Sequence, residues 1–185
     1  MSVDLEATLR TPITLAVLID RTRNVLADLL GGVDVPDLAV VTDRRRGRQL
    51  GPAGLAAAVI GEPIEPDADG LSGSVFYDID VPATGDGVRL MVIDFIGEAS
   101  IDDDRHAVFS PSRTAVGVTV ATGLALATAQ LADGEFVDDE IRMLTPPVRE
   151  PDEMVNRTRL DGPADNFVVQ CGKYLKQFPN LTELG

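Results

Sequence analysis

The chain has 185 residues, 44% of them apolar, which suits one folded domain over 1–185 and excludes an unstructured polypeptide. Acidic residues outnumber basic ones 30 to 16, for a net charge of −14, a field that repels nucleic acid and anionic membranes and attracts a basic partner. The one cysteine, Cys171, rules out an internal disulfide and gives no basis for a cysteine-ligated zinc site; no metal or cofactor is expected.

Aromatic residues are scarce and tryptophan is absent, so Val, Leu, Ile and Ala must fill the core. Lysine occurs only at Lys173 and Lys176, a bias of GC-rich coding that points to a bacterial source. The start, "MSVDLEATLR", lacks a basic stretch followed by an apolar run, so no secretory signal is read and a cytoplasmic location is expected.

From Pro12, "PITLAVLID" reads as a short apolar strand. "RTRNVLADLLGG" follows as a helix, with Val25, Leu26, Leu29 and Leu30 on one face and Gly31-Gly32 at its stop. "DLAVVTD" (37–43) is a second buried strand, and "RRRGRQ" after it is the tip of a turn. Arg44, Arg45, Arg46 and Arg48 form the one basic cluster, read as a solvated hairpin tip that makes the molecule dipolar. "GPAGLAAAVIG" (51–61) suits a short helix with Pro52 near its start. The Pro-, Gly- and Asp-rich segment 62–73 is a loop; Asp67, Asp69 and Gly70 stand too close together for a calcium-binding loop.

"SVFYDIDV" (74–81) and "VRLMVIDFIG" (88–97) flank "PATGDG" as a hairpin. A turn centred between Thr84 and Gly85 places Asp80 opposite Arg89 and Tyr77 opposite Val92. Asp94 then shares a face with Val88, Leu90 and Val92, where a carboxylate is costly unless paired. "RHAVFS" (105–110) is a further strand. The uncharged tract that follows carries Val116, Val120, Leu124, Ala127 and Leu131 on one helical face. Ser110 is its expected N-cap, Pro111 its first residue and Gly134 its left-handed stop. Threonines, Gln130 and two glycines dilute it below the roughly 20 strongly apolar residues that a bilayer span needs, so a central buried helix over 111–133 is expected. "EFVDDEIRM" (135–143) offers one more short strand, and "LTPPVREPDEM" a surface connection. In "DNFVVQCGKYLKQF" (165–178), Phe167, Cys171, Tyr174 and Phe178 form a helical stripe, with Asp165 or Asn166 as cap and Pro179 as terminator. The fold class expected is α+β: a largely antiparallel sheet carrying the central helix and the C-terminal helix.

No phosphate-binding loop, dinucleotide fingerprint or nucleophile elbow occurs in the chain. The only histidine, His106, follows Asp102, Asp103 and Asp104. With Asp94 it marks a candidate pocket for an enzyme or a small-ligand or metal-binding protein. The acidic residues Asp102, Asp103, Asp104, Asp138, Asp139 and Glu140 are the candidate surface for a basic protein partner. A structural subunit of a homo-oligomer is the third class.

Two stretches, "PITLAVLIDRTRNVLADLL" and "GLALATAQLADGEFVDDE", resemble small α+β immunity proteins of bacterial polymorphic toxin systems. The resemblance implies a non-catalytic inhibitor that covers a toxin's active surface by charge complementarity. It transfers no individual residue role.

Overall fold

The computed structural model describes residues 4–42, 48–64, 72–95, 105–162 and 165–184. Six strands form one antiparallel sheet: β1 (Leu5–Leu9), β3 (Ala39–Val41), β5 (Ser72–Val81), β6 (Asp86–Phe95), β7 (Arg105–Pro111) and β8 (Phe136–Val137), in the spatial order β3-β5-β6-β7-β1-β8. A two-stranded antiparallel ribbon of β2 (Ile13–Thr14) and β4 (Val59–Ile60) stands beside it. The helices are α1 (Leu15–Leu29), α2 (Pro52–Ala57), α3 (Ala115–Leu131), α4 (Pro151–Thr158) and α5 (Phe167–Leu175), with a 3₁₀ turn at Pro179–Leu184. The fold is therefore α+β with an antiparallel sheet, as the patterning predicts.

Side chains alternate across a strand, which divides the sheet's residues between two faces, although Val108 and Asp78 on the opposite face are buried as well. Leu5, Ala7 and Leu9 of β1, Ile79 and Val81 of β5, Val88, Leu90 and Val92 of β6, and Ala107 and Phe109 of β7 are buried on one face. Helix α3 lies on that face, against β1, β6 and β7, and α1, α4 and α5 pack on α3. The order of layers is sheet, α3, outer helices. Residues 116 to 129 of α3 are consequently all buried. Thr119 and Thr122 tolerate this because they donate their hydroxyls to the carbonyls of Ala115 and Val118, one turn back, whereas the buried Thr128 hydroxyl finds no partner among the described residues. Gly123 admits Leu26 of α1, whose side chain would stand 2.7 Å from a Cβ at that position.

Several expected boundaries move. The helix expected from Ser110-Pro111 begins at Ala115, because Ser110 and Pro111 are still paired to Arg89 and Val88 in the sheet. Thr114 is the actual N-cap, its hydroxyl accepting from Gly117 N at 3.0 Å. At the other end Asp133, not Gly134, takes the left-handed conformation (φ 52°), and Gly134 N closes the turn on the Ala129 carbonyl at 2.9 Å. Glycine is needed at 134 for space instead: a Cβ there would run into the Thr8 carbonyl. The strand expected over "PITLAVLID" is only Ile13–Thr14. Thr14 caps α1 from Leu15 onward, since Leu15, Leu18, Thr22, Val25, Leu26 and Leu29 form one buried face. Helix α4 takes over the end of the expected Pro-rich connection, from Pro151 onward. Glu150 caps it by accepting from Glu153 N at 2.6 Å, and Pro151 opens it. The hairpin register is shifted by two residues, with a turn at Pro82–Gly85 that puts Asp78, not Asp80, opposite Arg89 and Leu90, not Val92, opposite Tyr77. A shift of two preserves the faces. Helix α5 buries Phe167, Cys171 and Tyr174 of its expected stripe but ends at Leu175, before Phe178, and is capped by Asn166, which accepts from Val169 N at 3.0 Å.

Both outer strands of the sheet have their free edges occupied. On β3, Leu50 N donates to Val40 O at 2.8 Å and Gln49 bridges Val41. On β8, Phe136 N donates to Arg149 O at 2.8 Å.

Candidate functional site

Asp94 sits near the end of β6 on the helix-covered face. Its Oδ2 accepts from Arg105 Nε at 3.1 Å and from the Ile64 backbone N at 3.1 Å, while Arg105 Nη1 donates to Gly61 O at 3.1 Å. The two charged side chains are only 16% and 22% exposed. This is a buried-edge clamp that fastens the 61–64 segment to the end of the sheet. His106 pairs with Ile93, the residue next to Asp94, and so projects from the opposite face. The expected pocket joining Asp94 and His106 is therefore not formed; the sheet stands between them. A recess of about 270 Å³ walled by Val59, Ile60, Ile64, Val75 and Val92 includes neither residue.

Among the described residues no group of three or more His, Cys, Asp or Glu side chains is arranged to hold a metal ion. Cys171 is buried, and burial pushes its thiol up to about 12, far from a reactive thiolate.

The carboxylates that do gather lie where β1 meets β8. Glu6, between Val108 of β7 and Val137 of β8, points to the uncovered face. His106 Nδ1 is 3.8 Å from its Oε2, with Glu6 41% and His106 34% exposed. Glu140 Oε2 accepts from Asp4 N at 3.2 Å. Partial burial raises the Glu6 pKa, His106 opposes the rise, and Asp139, Glu140 and Asp4 add to it by repulsion. Of the expected partner-binding residues, Asp139 and Glu140 belong to this corner. Asp138 does not. It is buried, its Oδ2 accepts from Met143 N at 2.7 Å, and its carbonyl accepts from Ile141 N and Arg142 N. It shapes the turn after β8 and has no free carboxylate to offer a partner. Asp102, Asp103 and Asp104 lie outside the described residues, as do Arg44, Arg45, Arg46, Asp67, Asp69 and Gly70. Asp4 and Glu6 were not expected at a site. The signal was present in "LEATL", whose alternation puts Leu5, Ala7 and Leu9 inward and Glu6 and Thr8 outward.

The uncovered face is the rest of the geometry. Phe76, Met91, Val108, Glu6 and Val137 follow one another across β5, β6, β7, β1 and β8 as successive cross-strand partners. Ile93 and His106 make the next row. Among the described residues no helix lies over this face, and Phe76 is 51% exposed. Beyond Phe76 the face turns polar again, with Asp78 and Arg89 paired at 3.3 Å beside a recess of about 430 Å³ that Asp80, Asp86 and Ser112 also line.

No helix among the described residues is long and apolar enough to cross a membrane. Comparison of the chain with protein-family models, curated proteins and solved structures gives no match.

Proposed function

We propose that the protein is a non-catalytic binding protein of the cytoplasm that captures a basic protein partner, as the immunity proteins it resembles capture their toxins. The observation that carries this reading is the acidic corner where Asp4 N donates to Glu140 Oε2 at 3.2 Å and where the half-buried Glu6, its pKa raised first by burial, is further repelled by Asp139, Glu140 and Asp4. Like charges held together at a partly desolvated surface disfavour the free fold, and a cationic partner relieves the repulsion on binding. The net charge of −14 extends the same field outward and speeds encounter with a cation-rich surface.

The test uses the purified chain as bait against the polypeptides encoded beside it, in parallel with a Glu6→Gln, Asp139→Asn, Glu140→Gln variant. A basic polypeptide retained by the parent and lost by the variant is expected. Its association rate should fall more than about tenfold between low salt and 150 mM, as steered encounter requires. A partner without net positive charge, or binding indifferent to both salt and the triple substitution, would overturn the reading.

A further inference from the structure

We infer that the uncovered sheet face is a docking surface for a basic amphipathic helix of a partner protein, its apolar side on Phe76, Met91, Ile93, Val108 and Val137 and its cationic end over Asp4, Glu6, Asp139 and Glu140. The inference rests on the reading above and assigns it a surface and a partner chemistry.

A solvated face of an antiparallel sheet is ordinarily polar, in alternation with the buried face. This one is apolar along its middle: Phe76 leaves half its surface in water, Met91, Ile93 and Val137 are half-buried, and Val108 between them is buried among its neighbours. From β5 to β8 the row crosses four strand spacings of about 4.8 Å, a strip about 19 Å long, which a helix of about 13 residues spans at 1.5 Å per residue. The strip is apolar at the Phe76 end and acidic at the other, where Glu6 interrupts it and Asp139 and Glu140 flank it. An occupant must match both properties, and charge complementarity makes its acidic-corner end basic. A second copy of this chain matches poorly: it carries the same carboxylates and adds another net −14. Strand addition at β3 or β8 is also disfavoured, because the 48–50 segment and Arg149 already occupy those edges. Among the described residues, the sheet's face, not these edges, is what is left for a partner.

The probe is a 14-residue synthetic peptide with leucines at i, i+3, i+4, i+7 and i+11 and lysines elsewhere; its control has the same composition with the leucines scattered. Binding is followed by titration calorimetry and by the methyl NMR signal of Met91. The amphipathic peptide should bind at least tenfold more tightly than the control and shift the Met91 methyl. Phe76→Ser should remove that tenfold advantage, with the melting temperature of the variant recorded to verify its fold. Equal affinity for both peptides, with Met91 and Phe76→Ser without effect, overturns the docking face and leaves acidic capture standing. Binding of neither peptide overturns both. A self-associated chain that becomes monomeric on Phe76→Ser assigns the face to a second copy and overturns the inference.

Discussion

Removing the Asp94 carboxylate tests whether this residue is a clamp or a functional acid. Asp94→Ala deletes two accepted hydrogen bonds at once, from Arg105 Nε and from Ile64 N, each 3.1 Å long. Arg105 retains its bond to the Gly61 carbonyl but loses its counter-charge. Breaking a fully buried pair costs about 3–5 kcal/mol. With the partners 16% and 22% exposed, water recovers part of that, and we expect about 2–3 kcal/mol. For a domain of this size, 1 kcal/mol moves the melting temperature by about 2–4 °C, so the variant should melt about 4–12 °C lower. Asp94→Asn keeps one acceptor and should lose about half as much. Calorimetric or circular-dichroism melts of Asp94→Ala, Arg105→Ala and the double variant make a cycle, in which a coupling of at least about 1 kcal/mol is expected. A variant that melts at or above the parent temperature, or costs that add to within about 0.5 kcal/mol, refutes the clamp. An acid kept for chemistry at the expense of stability would give the former result.

Two further substitutions probe the corner and its support. Gly134→Ala drives a Cβ into the Thr8 carbonyl of β1, where the backbone is already held by Thr8 N on Glu135 O, so a loss of about 2–3 kcal/mol or more is expected in urea unfolding. Glu6→Gln should stabilise the protein at pH 7. The Glu6 carboxyl binds its proton more tightly in the folded state than in the unfolded one, so its favourable contribution is complete below about pH 4.5 and is lost as pH rises through the raised pKa. The advantage of the glutamine variant should therefore vanish in melts below pH 4.5; an advantage independent of pH would place its origin elsewhere.

The elements legible in the sequence are those whose burial leaves a local pattern. The uncharged tract of α3 and the stripe of α5 are of this kind, and so are the long strands β5 and β6. What failed depended on partners distant in the chain. Ser110-Pro111 has the composition of a helix start, but pairing with Arg89 and Val88 keeps both residues in β7. The nine apolar-rich residues from Pro12 carry strand and helix patterns together, and only the buried face continuing to Leu29 decides for the helix. The acids Asp139 and Glu140 stand out as charges, yet their grouping with Asp4 and Glu6 depends on β1 pairing with β8, which brings Glu140 to Asp4 across a separation of 136 residues. Asp94 could be placed on the apolar face within its own strand. That His106 falls on the other face is fixed only by the register of β6 on β7.

Helix α3 has no wet side, and this sets how the molecule comes apart. The sheet and the outer helices meet through it, so neither can lose it and remain a solvent-shielded layer. Its amide protons should exchange with deuterated water only when the whole chain opens, which makes their exchange rates a direct gauge of global stability. The outer helices can fray independently of that event; the rod between the layers cannot.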